Sequence, residues 1–225
     1  MLEPDVIRAA TLAAAGEVQA LMNHLGLAAR SAHTAKLVFE ADLRASIRRA
    51  LQFGRAELVM VDAPLGTTGI LAEPTDVVVA ARTKTPQLAV ELQLHPRGED
   101  HAGFAVLVRG DVLKMALARS RGAVEQATVL VGAPPRFWRW LPGFSEDRAG
   151  YELLDPQPDT PANARSDFLA GPSWDVLFQR GVDREVPDRV WTALLGAGEV
   201  RSPWMEMELR LLEVKGLGSL RPARG

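Results

Sequence analysis

The chain contains no cysteine. That absence excludes a disulfide framework, a thiolate zinc site and a cysteine nucleophile, and it is compatible with a reducing, cytoplasmic home. Lysine is scarce too. Of the 26 basic residues only Lys36, Lys84, Lys114 and Lys215 are lysines, so the place of each one matters. No apolar run reaches the roughly 20 residues needed to span a bilayer, and no membrane partner is expected. The stretch MLEPDVIRAATLAAAGEVQALM carries Glu3, Asp5 and Glu17, which is wrong for a secretory signal and right for an amphipathic helix. Neither sign of charge dominates. A net charge of −2 argues against a protein that coats nucleic acid non-specifically.

What is present is ordinary in bulk and uneven in detail. The 225 residues, 47% hydrophobic and 24% charged, suffice for one sizeable soluble domain or a core with a smaller lobe. The basic residues cluster. Residues 30–55 hold six Arg or Lys against two acids, and residues 109–121 hold four against one. Local patches of this kind can serve a phosphate backbone even on a weakly acidic chain. Their commoner use is to solvate a helix face.

Periodicity supplies the elements. Residues 5–25 and about 34–53 read as helices, the second with Leu37, Leu43, Ile47 and Leu51 on one stripe and Arg44 and Arg48 on another. AELVMVDAP (56–64) is a short strand closed by proline, TDVVVAA (75–81) a β-branched strand, and QLAVELQLH (87–95) its returning partner across the RTKTP turn. A helix is expected from about 110 to 121, and EQATVLVGAPP (125–135) is the last apolar strand of the core. Helix, three strands, helix and strand make an α/β sheet flanked by helices. Residues 1–133 therefore form an N-terminal helix plus an α/β core (about 34–133). Residues 134–225 form a loop-rich C-terminal extension, which carries all five tryptophans. In that extension PDRVWTALLG looks helical, and WMEMELRLLEV fits a helix or a strand.

The unusual stretch is LAVELQLHP, where Glu91, Gln93 and His95 alternate with Val90, Leu92 and Leu94. In a hairpin around the turn, residues whose numbers sum to about 168 face each other, which brings Asp76 near Glu91. Two carboxylates brought close on a sheet repel unless a cation or proton lies between them. Oxygen donors without thiolate favour Mg²⁺ or Mn²⁺. The plain alternatives are turn chemistry for Asp76 and the wet face of a half-exposed sheet for the row. His95 reads as a surface residue at the strand end.

EPTD (73–76) on the second strand and ELQ (91–93) on the third, within that strand order, resemble the PD-(D/E)XK nuclease superfamily, the restriction-endonuclease-like fold. The resemblance covers roughly residues 34–133. It implies an α-β-β-β-α-β core and hydrolysis of phosphodiester bonds in nucleic acid, most readily DNA, with Mg²⁺ or Mn²⁺ as cofactor. Asp76 and Glu91 would be metal ligands, joined by the main-chain carbonyl of Leu92 and by Glu40 of the preceding helix. Gln93 stands in the slot usually held by lysine, and Lys114 on the following helix is the candidate substitute. Arg44, Arg48 and Arg119 would contact phosphates. The sequence departs from the pattern in two ways: Pro74 lies two residues before Asp76, and Gln93 carries no charge. A fold kept for nucleic-acid or protein binding with its catalysis lost is the competing expectation. A homodimer would suit cleavage of both strands.

Other motifs carry less. GTTG (66–69) lacks the ending of a phosphate loop, GLGSLR lacks strand–helix context, and no Gly-x-Ser-x-Gly elbow occurs. His95 and His101 have no third nitrogen ligand near them in sequence. RFWRW (136–140) mixes arginine with aromatics that could stack bases or anchor a loop to the core.

Overall fold

The structure is a computed structural model that describes residues 6–7, 9, 12–14, 16–17, 19–20, 32–53, 58–67, 69–80, 85–95, 100–143, 152–165, 185–202 and 205–222. The described residues between 6 and 20 are helical (α1). They are followed by α2 (Ala32–Phe53), β1 (Val59–Pro64), β2 (Pro74–Val79), β3 (Leu88–Leu94), α3 (His101–Ser120), β4 (Gln126–Ala133), α4 (Pro135–Trp140), β5 (Ala162–Arg165), β6 (Glu185–Ser202) and β7 (Met205–Pro222). The seven strands make one mixed sheet in the order β1-β2-β3-β4-β7-β6-β5. Only β3 and β4 are parallel, joined through α3, since parallel neighbours need a crossover. No helix among the described residues is long and apolar enough to cross a membrane.

Each face of the sheet is covered, and period-two alternation divides the strands between two cores. Val78, Ala89, Val129 and Val131 pack with Phe104, Val108 and Met115 of α3 and with Phe137 and Trp138 of α4. Val77, Val79, Val90, Leu92 and Leu130 pack on the other side with Leu43, Ile47 and Leu51 of α2 and with Ile7 and Ala14 of α1. α3 lies close on β7. A Cβ at Gly216 would stand 2.5 Å from the Ala116 carbonyl oxygen and 3.0 Å from the Pro187 Cβ.

Three expectations are corrected. α3 begins at His101, well before residue 110, because Asp100 caps it by accepting from the backbone N–H groups of Ala102 (2.9 Å) and Gly103 (3.3 Å). The β-branched Val106 and Val108 sit on this helix on either side of an exposed Leu107, and Val108 is buried in the core, where packing outweighs propensity. PDRVWTALLG is not a helix but part of β6, which pairs antiparallel with β7 from Glu185↔Pro222 to Ser202↔Met205. WMEMELRLLEV belongs to β7 from Met205 on, and β7 pairs along β4 from Ala127↔Val214 to Ala133↔Glu208. The described part of the C-terminal segment is thus largely strand, and it extends the same sheet. In RFWRW, Phe137 and Trp138 are buried while Arg136 and Arg139 are exposed, and the Arg210 guanidinium lies 3.9 Å over the Trp138 ring.

Candidate active site

The β2–β3 register runs Val77↔Val90, Val78↔Ala89 and Val79↔Leu88, so the next step along the ladder sets Asp76 across from Glu91. The strands part there, and side chains take over from the ladder. Asp76 Oδ2 accepts from the backbone N–H of Leu92 at 2.7 Å. Glu91 Oε2 accepts from the backbone N–H of Asp76 at 3.4 Å. Each carboxylate thus replaces a backbone acceptor on the opposite strand. In an extended strand the N–H and C=O of one residue point the same way, so the Leu92 carbonyl also faces the side of the carboxylate pair.

Two cations hold the acids. Lys114 of α3 donates to Glu91 Oε1 at 2.5 Å, to the carbonyl of Pro74 at 2.9 Å and to that of Glu73 at 3.4 Å. Its three donors are matched by three acceptors, and the ammonium ties α3 to the start of β2 and the middle of β3. Both partners of this ion pair are buried. On the other side Arg44 of α2 places Nη2 2.6 Å from Asp76 Oδ1 and Nη1 3.0 Å from Asp62 Oδ1. Burial pushes the Glu91 carboxyl up to about 7; the Asp76 charge adds to this, and the Lys114 charge opposes it. Burial outweighs the ion pair.

Asp111 joins this group from α3, one turn before Lys114 on the same helix face. Its Oδ2 is shielded from solvent and has no hydrogen-bond partner. Burial first, and then the Glu91 charge, raises its carboxyl well above the usual range, opposed by a hydrogen bond from Gln93. Asp111 and Asp62 were not singled out from the sequence. Asp111 stands in an i, i+3 relation to Lys114, which a helix-face reading could have picked up. Asp62 stands across β1–β2 from Asp76, which only the pairing of β1 reveals.

The other candidates are placed as follows. Gln93 is half-buried. Arg48 is exposed one turn after Arg44. Glu40 lies in α2, and its side chain falls outside the described residues. Arg119 is remote from the carboxylates, at the far end of α3, where it lines a cleft of about 410 Å³ with Thr85, Glu125 and Lys215. The wet-face reading of the row is overturned, because Glu91 and His95 are 6% and 1% exposed. His95 is not a surface residue. Its Nε2 lies 2.8 Å from His101 Nδ1, and its ring packs on Phe104 and Phe137 at 4.5 and 5.5 Å, because α3 and α4 cover that end of β3. Burial, and then the Arg136 charge, lowers the His101 pKa.

No family model, curated protein or solved structure matches the chain.

The donors near Asp76 and Glu91 are oxygen, which suits a hard divalent cation. Among the described residues no three His, Asp or Glu side chains converge as a ready-made metal cage. Mg²⁺ does not need one, since it is commonly held by one or two carboxylates together with water and substrate phosphate. The unpartnered Asp111 oxygen is a buried acceptor beside the pair whose hydrogen-bonding capacity is unfilled. The residues fit the ion.

Proposed function

We propose that the chain is a metal-dependent nuclease that hydrolyses phosphodiester bonds of nucleic acid, with DNA as the expected substrate and Mg²⁺ or Mn²⁺ as the cofactor. The observation that carries this reading is the meeting of Asp76 and Glu91 where β2 and β3 part, with Lys114 reaching Glu91 from the next helix. Asp76, Glu91 and the Leu92 carbonyl would hold the ion. When bound, the ion supplies Lewis acidity and a water of lowered pKa. Lys114 supplies the fixed positive charge that Gln93 cannot. It sits within the cluster, where a cation would oppose charge developing on a phosphate oxygen. Arg44 meets the Asp76 carboxylate from α2, and the exposed Arg48 follows one turn later on that helix; both suit contacts to backbone phosphates, which position a nucleic acid without reading its sequence. A cytoplasmic home and a dimer that cuts both strands go with this reading.

The test is cleavage of plasmid and single-stranded DNA with Mg²⁺ or Mn²⁺ by the wild type and by Glu91→Ala. Metal-dependent cutting that disappears in the variant is the expected result. Equal cutting by both proteins, or none, would defeat it.

One observation favours a second reading, a non-catalytic binding module. Both carboxylates already have a cation partner, Arg44 for Asp76 and Lys114 for Glu91, so the cluster can serve as a charge-balanced clasp between strands. Absence of divalent-cation binding, with DNA binding retained, would select that reading.

A further inference from the structure

Asp62 lies in the middle of β1 with φ 51°, in the left-handed region that Asp tolerates better than most residues but adopts at a cost. The register does not force it there. Val61 pairs with Val77 and Ala63 with Thr75, so no inserted residue distorts the ladder, and Asp62 stands across from Asp76. Stability does not explain it either. The Asp62 side chain is 59% exposed, and an exposed ion pair contributes little. Strain kept without a return in stability points to function.

What the conformation does is send the carboxylate to Arg44. The guanidinium forks between an outer acid, Asp62 at 3.0 Å, and an inner one, Asp76 at 2.6 Å with a side chain 14% exposed. A divalent ion on Asp76 and the Arg44 guanidinium compete for the same carboxylate. We propose that Asp62 is a positioning residue, the outer seat that retains Arg44 at the rim of the site when a divalent cation takes its place on Asp76, so that the freed N–H groups meet a nucleic-acid phosphate. This rests on the metal-dependent reading above. Without Asp62, Arg44 keeps the inner seat on Asp76, and it opposes metal entry. A planar guanidinium suits the role because one edge can stay on a carboxylate while the other engages a phosphate.

The test uses the full chain with Asp62→Asn, Asp62→Gly, Arg44→Ala and the double variant Arg44→Ala/Asp62→Asn. Asn keeps the tolerance for a left-handed backbone and loses the charge, whereas Gly also removes the strain. Mn²⁺ binding is read by calorimetry, and binding of a DNA duplex is read against salt with Mn²⁺ replaced by Ca²⁺, the DNA being checked to be intact afterwards. Asp62→Asn is expected to weaken Mn²⁺ binding about tenfold, as loss of a supporting residue around a metal commonly does. The same variant should lower the salt slope of DNA binding by about one phosphate contact. Arg44→Ala should tighten Mn²⁺ binding, and in that background Asp62→Asn should change neither quantity. Asp62→Gly should match Asp62→Asn in both readouts while melting no lower than wild type, an outcome that a merely structural Asp62 would not give. An Asp62→Asn effect that persists without Arg44, or none with it, overturns the proposal alone. A wild type that binds no Mn²⁺ overturns the metal-dependent reading, and the proposal with it.

Discussion

Replacing Lys114 with methionine is the sharpest test of how the cluster is built. The methionine keeps most of the apolar stem and removes the ammonium that bonds Glu91 and the carbonyls of Glu73 and Pro74. Stripping one partner from a buried ion pair costs about 3–5 kcal/mol, because the other charge is left uncompensated. For a domain of this size that lowers Tm by roughly 2–4 °C for each kcal/mol. The loss should depend on pH. Glu91 is raised from its ordinary 4.5 to about 7, so the folded protein holds a proton that the unfolded chain has already released between those values. The stability from that protonated acid is fully present below 4.5 and is lost as pH rises through about 7. Without Lys114 the carboxyl rises further. The variant's deficit should then be largest near about pH 8 and smaller by about 1–3 kcal/mol near about pH 5, where Glu91 is protonated in both proteins. Urea denaturation at the two pH values measures it. A deficit that is the same at both, or below about 1 kcal/mol at the higher one, would refute the view that Lys114 chiefly compensates a buried Glu91. Adding Glu91→Leu should restore part of the lost stability, since an apolar pair of similar volume often replaces a buried ion pair without loss.

Two further outcomes follow from the same geometry. At subsaturating Mg²⁺, DNA cleavage should climb as pH rises through about 7, because Glu91 must lose its proton to serve as a ligand. Raising Mg²⁺ should move that climb to lower pH, as metal displaces the proton; an unmoved profile in a titration of initial rates would count against Glu91 as a ligand. Gly216→Ala should destabilise the fold by about 1–3 kcal/mol, because the added Cβ meets the Ala116 carbonyl oxygen of α3. A thermal melt reads it, and an unchanged Tm would mean that α3 has room to move off β7.

Features that depend on near neighbours in the chain are legible from the order of residues alone. The alternation in TDVVVAA and QLAVELQLH sets both strands and the face each side chain takes, and it brings Asp76 near Glu91; the pairing itself, Val77 facing Val90, lies one residue from the expected register and is what puts the two acids directly across. The stripe of Leu43, Ile47 and Leu51 likewise identified the buried face of α2. Tertiary structure decided the rest. PDRVWTALLG looks helical by local pattern, and its strand form comes from pairing with β7, interrupted only at Asp188 and Leu195, a partner that local pattern does not announce. His95 reads as polar and exposed on its own strand, yet α3 and α4 close over it. The Lys114–Glu91 pair joins residues on different elements, and Asp62 enters the cluster only because β1 lies beside β2 while α2 carries Arg44 across to both acids. Periodicity fixes which way a side chain points relative to its own backbone. What it points at is set by the packing of elements distant in the chain, where burial and the balance of charge select the partners.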